Sequence, residues 1–243
     1  MAVVLSVVIP VFNEAATLRQ IVQRIQALDI STEILIVDDG STDGSDRIGD
    51  ELARQFENVQ LLTHRRNFGK GRALRTGISH ATGKYVIVQD ADLEYDPNDY
   101  SKLLRPLMGG RADAVFGSRF LAGSEHRVRY FRHYLGNRFL TFLSNLTTDL
   151  NLTDMESCYK AFRRDLLQSI ELEEDRFGIE PEITSKVAKA GARVYEVGIS
   201  YHGRTYAEGK KIRARDGVWA IWCIVKYALR RSKRWHRGTG DGG

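Results

Sequence analysis

Short apolar runs alternate with amphipathic segments over the first 118 residues of the chain. Between the apolar runs, hydrophobic residues recur at helical spacing, as in Ala15–Leu28 and Ser45–Gln55. Near-continuous apolar strands that alternate with helices predict an α/β fold, a mostly parallel central sheet with helices on both faces. The predicted strands are Val3–Pro10, Ile34–Asp38, Val59–Thr63, Tyr85–Gln89 and Ala114–Ser118.

This alternation stops after residue 120. Residues 127–146 mix arginines with aromatic residues and leucines. A helical pattern follows over Ile179–Ala190, Val194–Ile199 reads as a strand, and a helix is predicted from residue 216 to about residue 232. The pattern therefore indicates a second part of the chain that differs in organisation from the first.

Length and charge favour one domain with a distinct C-terminal segment. With 243 residues and 42% hydrophobic content, the chain can bury a sizeable core. Residues 201–243 carry 11 Lys and Arg against 3 Asp and Glu, whereas residues 1–200 carry 25 against 28. The basic excess thus belongs to the C-terminal segment, which is able to attract nucleic acid or an anionic membrane, or simply to stay solvated.

The cysteines and the N-terminal stretch favour a cytoplasmic protein. Cys158 and Cys223 are far apart and form no C-x-x-C pair, so we interpret both as small buried hydrophobic residues in a reducing compartment. The apolar stretch Ala2–Phe12 contains Pro10, lacks a basic leader and is too short to span a bilayer, so we interpret it as the first strand.

Polar clusters follow the first two predicted strands, where the loops of a parallel sheet converge on a ligand. Asn13 and Glu14 end VVIPVFNE, and both a ligand contact and helix capping explain them. Asp38 and Asp39 in ILIVDDGSTDGS follow four apolar residues. A carboxylate at this place can accept a hydrogen bond from a ribose hydroxyl or a base N–H.

A glycine-flanked lysine occurs in HRRNFGKGRALRTG. A Walker A loop needs glycine where this chain has His64, and a dinucleotide fingerprint needs glycine where it has Leu74. Neither signature is present. Lys70 at a predicted helix N-terminus remains an indication of anion binding.

The segment VIVQDADLEYDPND places carboxylates at alternating positions after a predicted strand. A calcium loop starting at Asp90 needs glycine and glutamate where the chain has Tyr95 and Ser101, so that reading fails. In an extended strand end, Asp90 and Asp92 point to the same side. Two carboxylates at such a short distance repel each other unless a cation lies between them. The pattern therefore predicts a divalent ion that also binds the phosphates of the substrate.

Five motifs in order carry a resemblance that covers residues 3 to about 217. They are VVIPVFNE, VDDGSTDGS, RRNFGKGRALRTG, QDADLEYDP and FGSRF. Together they resemble the family 2 inverting glycosyltransferases, in particular the polyprenyl-phosphate branch typified by dolichol-phosphate mannose synthase. The resemblance implies the GT-A fold of nucleotide-diphospho-sugar transferases. It also implies that residues 1–120 bind the nucleotide sugar and metal, that residues 121–217 bind the acceptor, and that residues 218–243 form a basic amphipathic helix and tail.

The resemblance assigns the donor side of the site. It implies that Mg²⁺ or Mn²⁺ binds to Asp90 and Asp92, with Glu94 as a third ligand. Asp92 is also expected to be catalytic. The implied nucleotide-sugar residues are Pro10, Phe12, Glu14, Asp38, Asp39, Asn67, Lys70, Gly71, Asp90, Ala91 and Asp92.

The acceptor side rests on later motifs. DMESCYKAF is similar to the family's D-x-x-S-G-F segment, with Cys158 and Tyr159 in place of Gly-Phe. The expected acceptor-phosphate residues are Arg119, Arg132, Arg138 and Ser157, and the expected sugar-binding residues are Glu180 and Glu182. Arg204, Lys210 and Lys211 correspond to a basic loop of the family, in which Arg204 and Lys210 are expected to stabilise the leaving diphosphate.

The function implied is transfer of a hexose from a nucleotide-diphosphate sugar, such as GDP-mannose or UDP-glucose, to a polyprenyl or dolichyl monophosphate. The alternatives are an enzyme of the same fold with another cell-envelope or polysaccharide acceptor, a sugar nucleotidyltransferase, and a basic nucleic-acid-binding module. A polysaccharide-elongating enzyme is expected to need a catalytic base. A sugar nucleotidyltransferase is expected to need a glycine-rich loop near residue 10. The nucleic-acid-binding module rests on the basic tail alone. We expect no nucleic-acid partner.

The lipid acceptor implies contact with the cytoplasmic face of a membrane. Residues 218–225 are too short to span it, so we expect peripheral attachment, with or without a membrane-embedded partner subunit. Lysines and arginines after residue 225 surround Tyr227, Leu229 and Trp235, a composition typical of a segment in the headgroup region. The expected second contact consists of Tyr130, Phe131, Phe139, Leu140 and Phe142.

Overall fold

A computed structural model describes residues 4–121, 131–203, 214–230 and Trp235. Its seven strands form a single sheet, in the order β3-β2-β1-β4-β6-β5-β7. The strands are β1 (Leu5–Val11), β2 (Thr32–Asp38), β3 (Val59–Thr63), β4 (Tyr85–Val88), β5 (Ala114–Ser118), β6 (Lys160–Arg163) and β7 (Val194–Gly198). The helices are α1 (Leu18–Gln26), α2 (Ser45–Gln55), α3 (Lys70–His80), α4 (Tyr100–Met108), α5 (Phe131–Thr148), α6 (Arg164–Ser169), α7 (Ile179–Lys189) and α8 (Ala214–Leu229).

The first half of the chain forms the parallel part of the sheet. β1 pairs in parallel with β2 and β4, and β2 pairs in parallel with β3. Side chains alternate between the two faces of a strand, so Val7 and Ile9 pack in one core layer and Val8 packs in the other. Helices α1, α2 and α4 cover the first layer, whereas α3, α6 and α7 cover the second. The prediction of a mostly parallel sheet with helices on both faces is confirmed.

Strand β6 is the main departure from the predicted pattern. It lies between β4 and β5 and pairs with both in the antiparallel direction, while β5 pairs in parallel with β7. Its four residues begin with Lys160 and end with Arg163, so the segment has no apolar run that predicts a strand. Pairing with two neighbouring strands, which no local pattern reveals, determines its conformation.

The second half of the chain completes the same sheet, because β6 and β7 belong to it. Residues 131–148, for which the sequence showed only a mixed pattern, form the long helix α5. Helix α8 begins at Ala214, two residues before its predicted start, and ends at Leu229. Within the described residues, no helix combines the length and apolar character needed to cross a membrane. Most of the predicted basic tail lies outside the described residues.

Candidate active site

A cavity of about 500 Å³ opens at the carboxyl ends of the parallel strands. Loops after β1, β2 and β4 contribute to its wall, as do the start of α3, the loop before β6 and residues of α7 and α8. This is where a parallel sheet is expected to bind its ligand. Of the residues predicted from sequence, those that line the cavity are Pro10, Phe12, Glu14, Asp39, Asn67, Lys70, Asp90, Ala91, Asp92, Glu94, Arg119 and Glu180.

The carboxylates that follow β4 lie in a turn. We expected Asp90 and Asp92 to share one side of an extended strand, but β4 ends at Val88 and the chain then turns, with Leu93 at a φ of 63°. Gln89, the first residue after the strand, is buried, and its side-chain carbonyl accepts a hydrogen bond from the hydroxyl of Tyr100 at 3.0 Å. The geometric argument was therefore wrong. Both aspartates nevertheless lie on the cavity wall.

The contacts of these carboxylates differ from one another. Lys70 Nζ lies 2.6 Å from Asp90 Oδ1, and Asp92 Oδ1 accepts a hydrogen bond from the backbone N–H of Glu94 at 3.1 Å. Glu94 Oε2 accepts one from the hydroxyl of Tyr201 at 2.5 Å. Across the described ranges, no three His, Cys, Asp or Glu side chains converge as a metal site. The predicted third ligand, Glu94, is thus directed toward Tyr201.

Lys70 lies at the centre of a charged cluster in the wall. Its ammonium group donates to Asp90 and also to the sulfur of Cys158, 2.8 Å away. Burial acts to lower the pKa of Lys70, but the Asp90 carboxylate raises it well above its ordinary value. Burial raises the pKa of Cys158, so its side chain remains a thiol. The lysine is therefore a fixed positive charge on the wall, as its sequence position indicated.

Asp39 lines the cavity, but its carboxylate is hydrogen-bonded to other residues of the protein. It is 2% exposed, and its carboxylate lies 2.7 Å from His64 Nδ1. It also accepts from the backbone N–H groups of Phe68 and Gly69, the latter at 2.6 Å. These bonds hold the segment between β3 and α3 against the end of β2. Asp39 therefore holds this part of the cavity wall in position.

Three other predicted residues of the donor side and the sugar site lie off the cavity wall. Asp38 is buried, and one of its oxygens accepts from the backbone N–H of Ser41. Gly71 lies under the loop that precedes α7, so a Cβ there would come within 2.1 Å of the Glu174 carbonyl oxygen. Glu182 accepts from the backbone N–H groups of residues 173 and 174, both at 2.8 Å, and holds the same loop.

The predicted acceptor residues separate into two groups. Arg119 lines the cavity, but its Nε and Nη2 groups donate to Asp154 at 2.6 and 2.8 Å. Arg132 and Arg138 are exposed on α5, outside the wall. Ser157 is buried, and its hydroxyl accepts from the backbone N–H of residue 159. The structure therefore brings one of these four residues to the cavity. Arg204, Lys210 and Lys211 lie outside the described residues.

Sequence reasoning missed several residues of the wall. Tyr95, Tyr201, Arg176 and Glu156 all line the cavity. Glu156 could have been identified from its place in the motif DMESCYKAF, next to Ser157 and Cys158. No signal marked Tyr201, which reaches Glu94 from a segment more than 100 residues away.

The chain matches the family described as glycosyl transferase family 2 over residues 6–171. That segment contains the three strands that end at the cavity, the Asp90–Asp92 turn and Arg119. The chain belongs to glycosyl transferase family 2. It is therefore an enzyme, a glycosyltransferase, as the five motifs implied.

Relatives of this family 2 glycosyltransferase include enzymes named for lipid products. It is 30% identical over 211 residues to the polyprenol monophosphomannose synthase of Mycolicibacterium smegmatis, a match that covers 84% of this chain and 79% of that protein. It is 26% identical to the dodecaprenyl-phosphate galacturonate synthase of Rhizobium johnstonii, over 85% of this chain and 61% of that protein. These names agree with the polyprenyl-phosphate branch.

Solved structures confirm the fold class. The glucosyl-3-phosphoglycerate synthase of Mycobacterium tuberculosis superposes with a TM-score of 0.69 at 21% identity, covering 93% of this chain and 80% of that one. That structure contains Mn²⁺, UDP and glucosyl-3-phosphoglycerate. At this identity the likeness establishes the GT-A fold of the present chain and nothing finer.

Proposed function

We propose that this glycosyltransferase transfers a hexose from a nucleotide-diphosphate sugar to a polyprenyl monophosphate, with inversion at the anomeric carbon. The observation that carries the proposal is the pair Asp90 and Asp92 on the wall of a cavity of about 500 Å³. A volume of this order suits a small-molecule ligand. The names of the Mycolicibacterium and Rhizobium relatives support a polyprenyl-phosphate acceptor.

The residues of the wall fit a divalent ion. Mg²⁺ keeps several waters and binds through one or two carboxylates together with substrate phosphates, which is the donor set that Asp90 and Asp92 offer. A three-carboxylate cage is therefore not required. When bound, Mg²⁺ or Mn²⁺ supplies Lewis-acid stabilisation of the leaving diphosphate. Lys70, 2.6 Å from Asp90, adds a positive charge on the same side.

The remaining donor residues are proposed to hold the nucleoside. Pro10 near the end of β1, Phe12 and Glu14 after it, and Asn67 line the cavity. Phe12 is 37% exposed, so its ring is accessible to a base or ribose. We propose that residues 1–120 bind the nucleotide and metal, and that residues 121–217 supply most of the contacts to the acceptor.

The proposed reaction needs no catalytic base for the acceptor. A phosphate monoester has a second pKa of about 6, so it is already an oxyanion at neutral pH. As the bond to the diphosphate breaks, an oxocarbenium-like centre forms at the sugar and negative charge grows on the leaving group. Arg119 on the wall is proposed to attract the acceptor phosphate, and Arg204 and Lys210, outside the described residues, to stabilise the diphosphate.

A donor panel tests this proposal directly. The protein is incubated with GDP- and UDP-sugars, a polyprenyl phosphate and Mn²⁺ or Mg²⁺, and the lipid fraction is analysed by mass spectrometry and NMR. We expect one hexosyl phosphate lipid with inverted anomeric configuration. Release of pyrophosphate from a nucleoside triphosphate and a sugar phosphate, or transfer only to a non-lipid acceptor, would contradict the proposal.

We further propose that α5 and α8 carry the surface that meets the membrane. The two helices pack against each other, and Leu140 and Ala220 on them line the cavity. On each helix, exposed apolar residues recur at helical spacing and so form a single stripe. These are Phe131, Leu135, Phe139, Phe142 and Leu146 on α5, and Val218, Trp222, Val225 and Leu229 on α8. Helix α5 carries arginines and no acidic residue, which favours an anionic lipid surface.

The double substitution Phe139→Ser and Phe142→Ser is expected to weaken binding to anionic vesicles about tenfold or more, because it removes two exposed rings from the lipid-facing stripe. Transfer to long-chain acceptors should fall with it, and transfer to short soluble acceptors should not. Vesicle sedimentation and the two acceptor assays measure this. Met108→Ser, an exposed apolar residue on α4, is the matched control. If the double variant binds vesicles normally but becomes monomeric where the wild type is a dimer, a second copy covers this surface instead.

A further inference from the structure

Glu156 is a wall residue with an unsatisfied carboxyl group. Its side chain lines the cavity and is partly exposed there. Its Oε1 atom is buried and has no hydrogen-bond partner among the described residues. A buried acceptor without a partner destabilises the protein, so such a group calls for an explanation. None of the roles proposed so far uses Glu156.

The neighbouring cations are already committed to other acceptors. The buried ammonium group of Lys160 has three N–H donors, and it donates to the carbonyl oxygens of Met155 and Ser157 and to the carboxylate of Glu180. Arg119 donates to Asp154 through two guanidinium N–H groups. Lys160 and Arg119 both lie near enough to act on the charge of Glu156, yet its Oε1 atom has no hydrogen-bond partner in the part of the chain that the structure describes.

The loop that carries Glu156 is held rigidly. Asp154 accepts from Arg119 and also from Asn137 on α5 at 3.0 Å. Glu196 on β7 accepts from the backbone N–H groups of Thr153 and Asp154, at 2.9 and 3.1 Å. A side chain on such a loop is presented to the cavity in a defined position, which is a requirement for a residue that selects a ligand.

The electrostatic surroundings keep Glu156 close to its titration point. Burial raises its pKa to about 7, and the carboxylate of Glu180 on α7 acts in the same direction. Lys160 on β6 and Arg119 after β5 oppose that rise, whereas Asp154 on its own loop adds to it. The carboxyl group of Glu156, together with the nearby carboxylate of Glu180, disfavours an anion and favours a ligand group that donates hydrogen bonds.

We propose that Glu156 is a specificity-determining residue of the donor site, whose carboxyl group binds hydroxyl groups of a neutral hexose and, with Glu180, excludes a sugar that carries a carboxylate. This inference rests on the proposed function and narrows its donor to an uncharged sugar. Sugar hydroxyls that enter the cavity can donate to the partly exposed carboxylate of Glu156. A uronate in the same position would bring a third carboxylate beside two glutamates, at a like-charge penalty.

The test compares sugar nucleotides with bare nucleotides. Binding of a nucleotide-diphosphate hexose, of the matching nucleotide-diphosphate uronate and of the nucleoside diphosphate is measured by calorimetry with Mn²⁺. For Glu156→Gln we expect affinity for the hexose nucleotide to fall about tenfold, because a hydrogen bond to a charged group is lost, while affinity for the nucleoside diphosphate stays unchanged. The wild type should prefer the hexose over the uronate nucleotide, and the variant should prefer it less.

The matched control is Glu196→Gln. Glu196 supports the same loop from behind and does not line the cavity. If this variant changes affinity at all, it should do so equally for hexose nucleotide and nucleoside diphosphate. If Glu156→Gln shows the same parallel loss, or no loss, Glu156 is only structural and the proposal is overturned.

A pH series adds a readout that a structural role does not predict. Both phosphates of a sugar nucleotide are already fully ionised near neutrality, so they contribute no inflection. Hydroxyls that donate to Glu156 favour its ionised form, and affinity for the hexose nucleotide should therefore rise as pH increases through about 7. This inflection should be absent in Glu156→Gln, and its persistence there would count against the proposal.

These measurements separate the two proposals. A wild-type protein that binds no sugar nucleotide overturns both the proposed function and the role of Glu156. A protein that binds hexose nucleotides through Glu156 but transfers nothing to polyprenyl phosphate overturns the acceptor assignment alone. A protein that makes the lipid product while Glu156→Gln binds as the wild type does overturns the role of Glu156 alone.

Discussion

Asp92→Asn is expected to abolish sugar transfer and the Mn²⁺-dependent part of nucleotide binding. The substitution preserves side-chain volume but removes one of two negative charges that face the proposed cation from the cavity wall. Even residues that merely orient metal ligands reduce affinity or activity about 10- to 100-fold when changed, so loss of a ligand should reduce transfer at least about 100-fold. Calorimetric titration of UDP and GDP, with and without Mn²⁺, measures the binding effect.

The fold should survive this substitution. Asp92 lies partly exposed in a turn after β4, and its carboxylate accepts a hydrogen bond from the backbone N–H of Glu94. An asparagine side-chain oxygen can accept the same bond. The thermal midpoint of the variant should therefore remain close to that of the wild type, which separates loss of metal binding from loss of structure.

Asp96→Asn is the matched control for Asp92→Asn. Asp96 lies four residues later and accepts from the backbone N–H of Asn98 at the start of a short 3₁₀ helix, Pro97–Asp99, outside the cavity wall. We expect it to bind nucleotide and Mn²⁺ normally. Equal nucleotide affinity in Asp92→Asn and the wild type, in the presence of Mn²⁺, would remove Asp92 from the metal site.

Asp154→Asn should cause the largest loss of stability. Asp154 is fully buried, and its two oxygens accept from the backbone N–H and guanidinium of Arg119 and from Asn137. The substitution removes the negative charge that pairs with Arg119, whose side chain is 12% exposed. Breaking a buried pair from one side lowers the free energy of unfolding by about 3–5 kcal/mol. Urea unfolding of the two proteins at neutral pH measures the difference.

The stability difference caused by Asp154→Asn should depend on pH. Burial acts to raise the pKa of Asp154, but Arg119 holds it below the ordinary value of 3.8. A carboxyl group whose pKa is lower in the folded state contributes stability above its unfolded pKa and loses that contribution as pH falls toward its folded pKa. The unfolding free energies of wild type and variant should therefore converge below a pH of about 3.8.

Asp165→Asn provides the comparison for a surface ion pair. Asp165 pairs with Arg163 at 3.1 Å, but its side chain is 46% exposed. Water screens such a pair, so its loss should change the unfolding free energy by no more than about 0.5 kcal/mol. A similar loss in both variants would show that the Arg119–Asp154 pair does not contribute through its burial.

Local patterns predicted the elements of the donor half well. The predicted bounds of β3, β5 and α2 agree with the structure, because each is a short run whose periodicity is uninterrupted and whose ends carry turn residues. The convergence of Glu14, Asp39 and Asp92 on one cavity followed from a single rule, since the carboxyl ends of neighbouring parallel strands meet at the same edge.

The same patterns failed where a side chain had two possible environments. Glu180 and Glu182 occupy one turn of α7, yet Glu180 lines the cavity while Glu182 holds the loop before the helix. Arg119 lines the cavity as expected, but the sequence did not reveal that two of its N–H groups are bonded to Asp154. In each case the deciding partner lies on another element, and sequence spacing carries no information about it.

The sequence by itself determined the parallel sheet and the family, because these depend on periodicity and on motifs in which the neighbours along the chain are also neighbours in space. Only the tertiary structure decided the antiparallel insertion of β6, the turn that holds Asp90 and Asp92, and the exposed stripes of α5 and α8. The tertiary structure alone also shows that one carboxyl oxygen of Glu156 has no hydrogen-bond partner among the described residues. Each depends on contacts between distant segments, where burial and competition for hydrogen bonds override local preference.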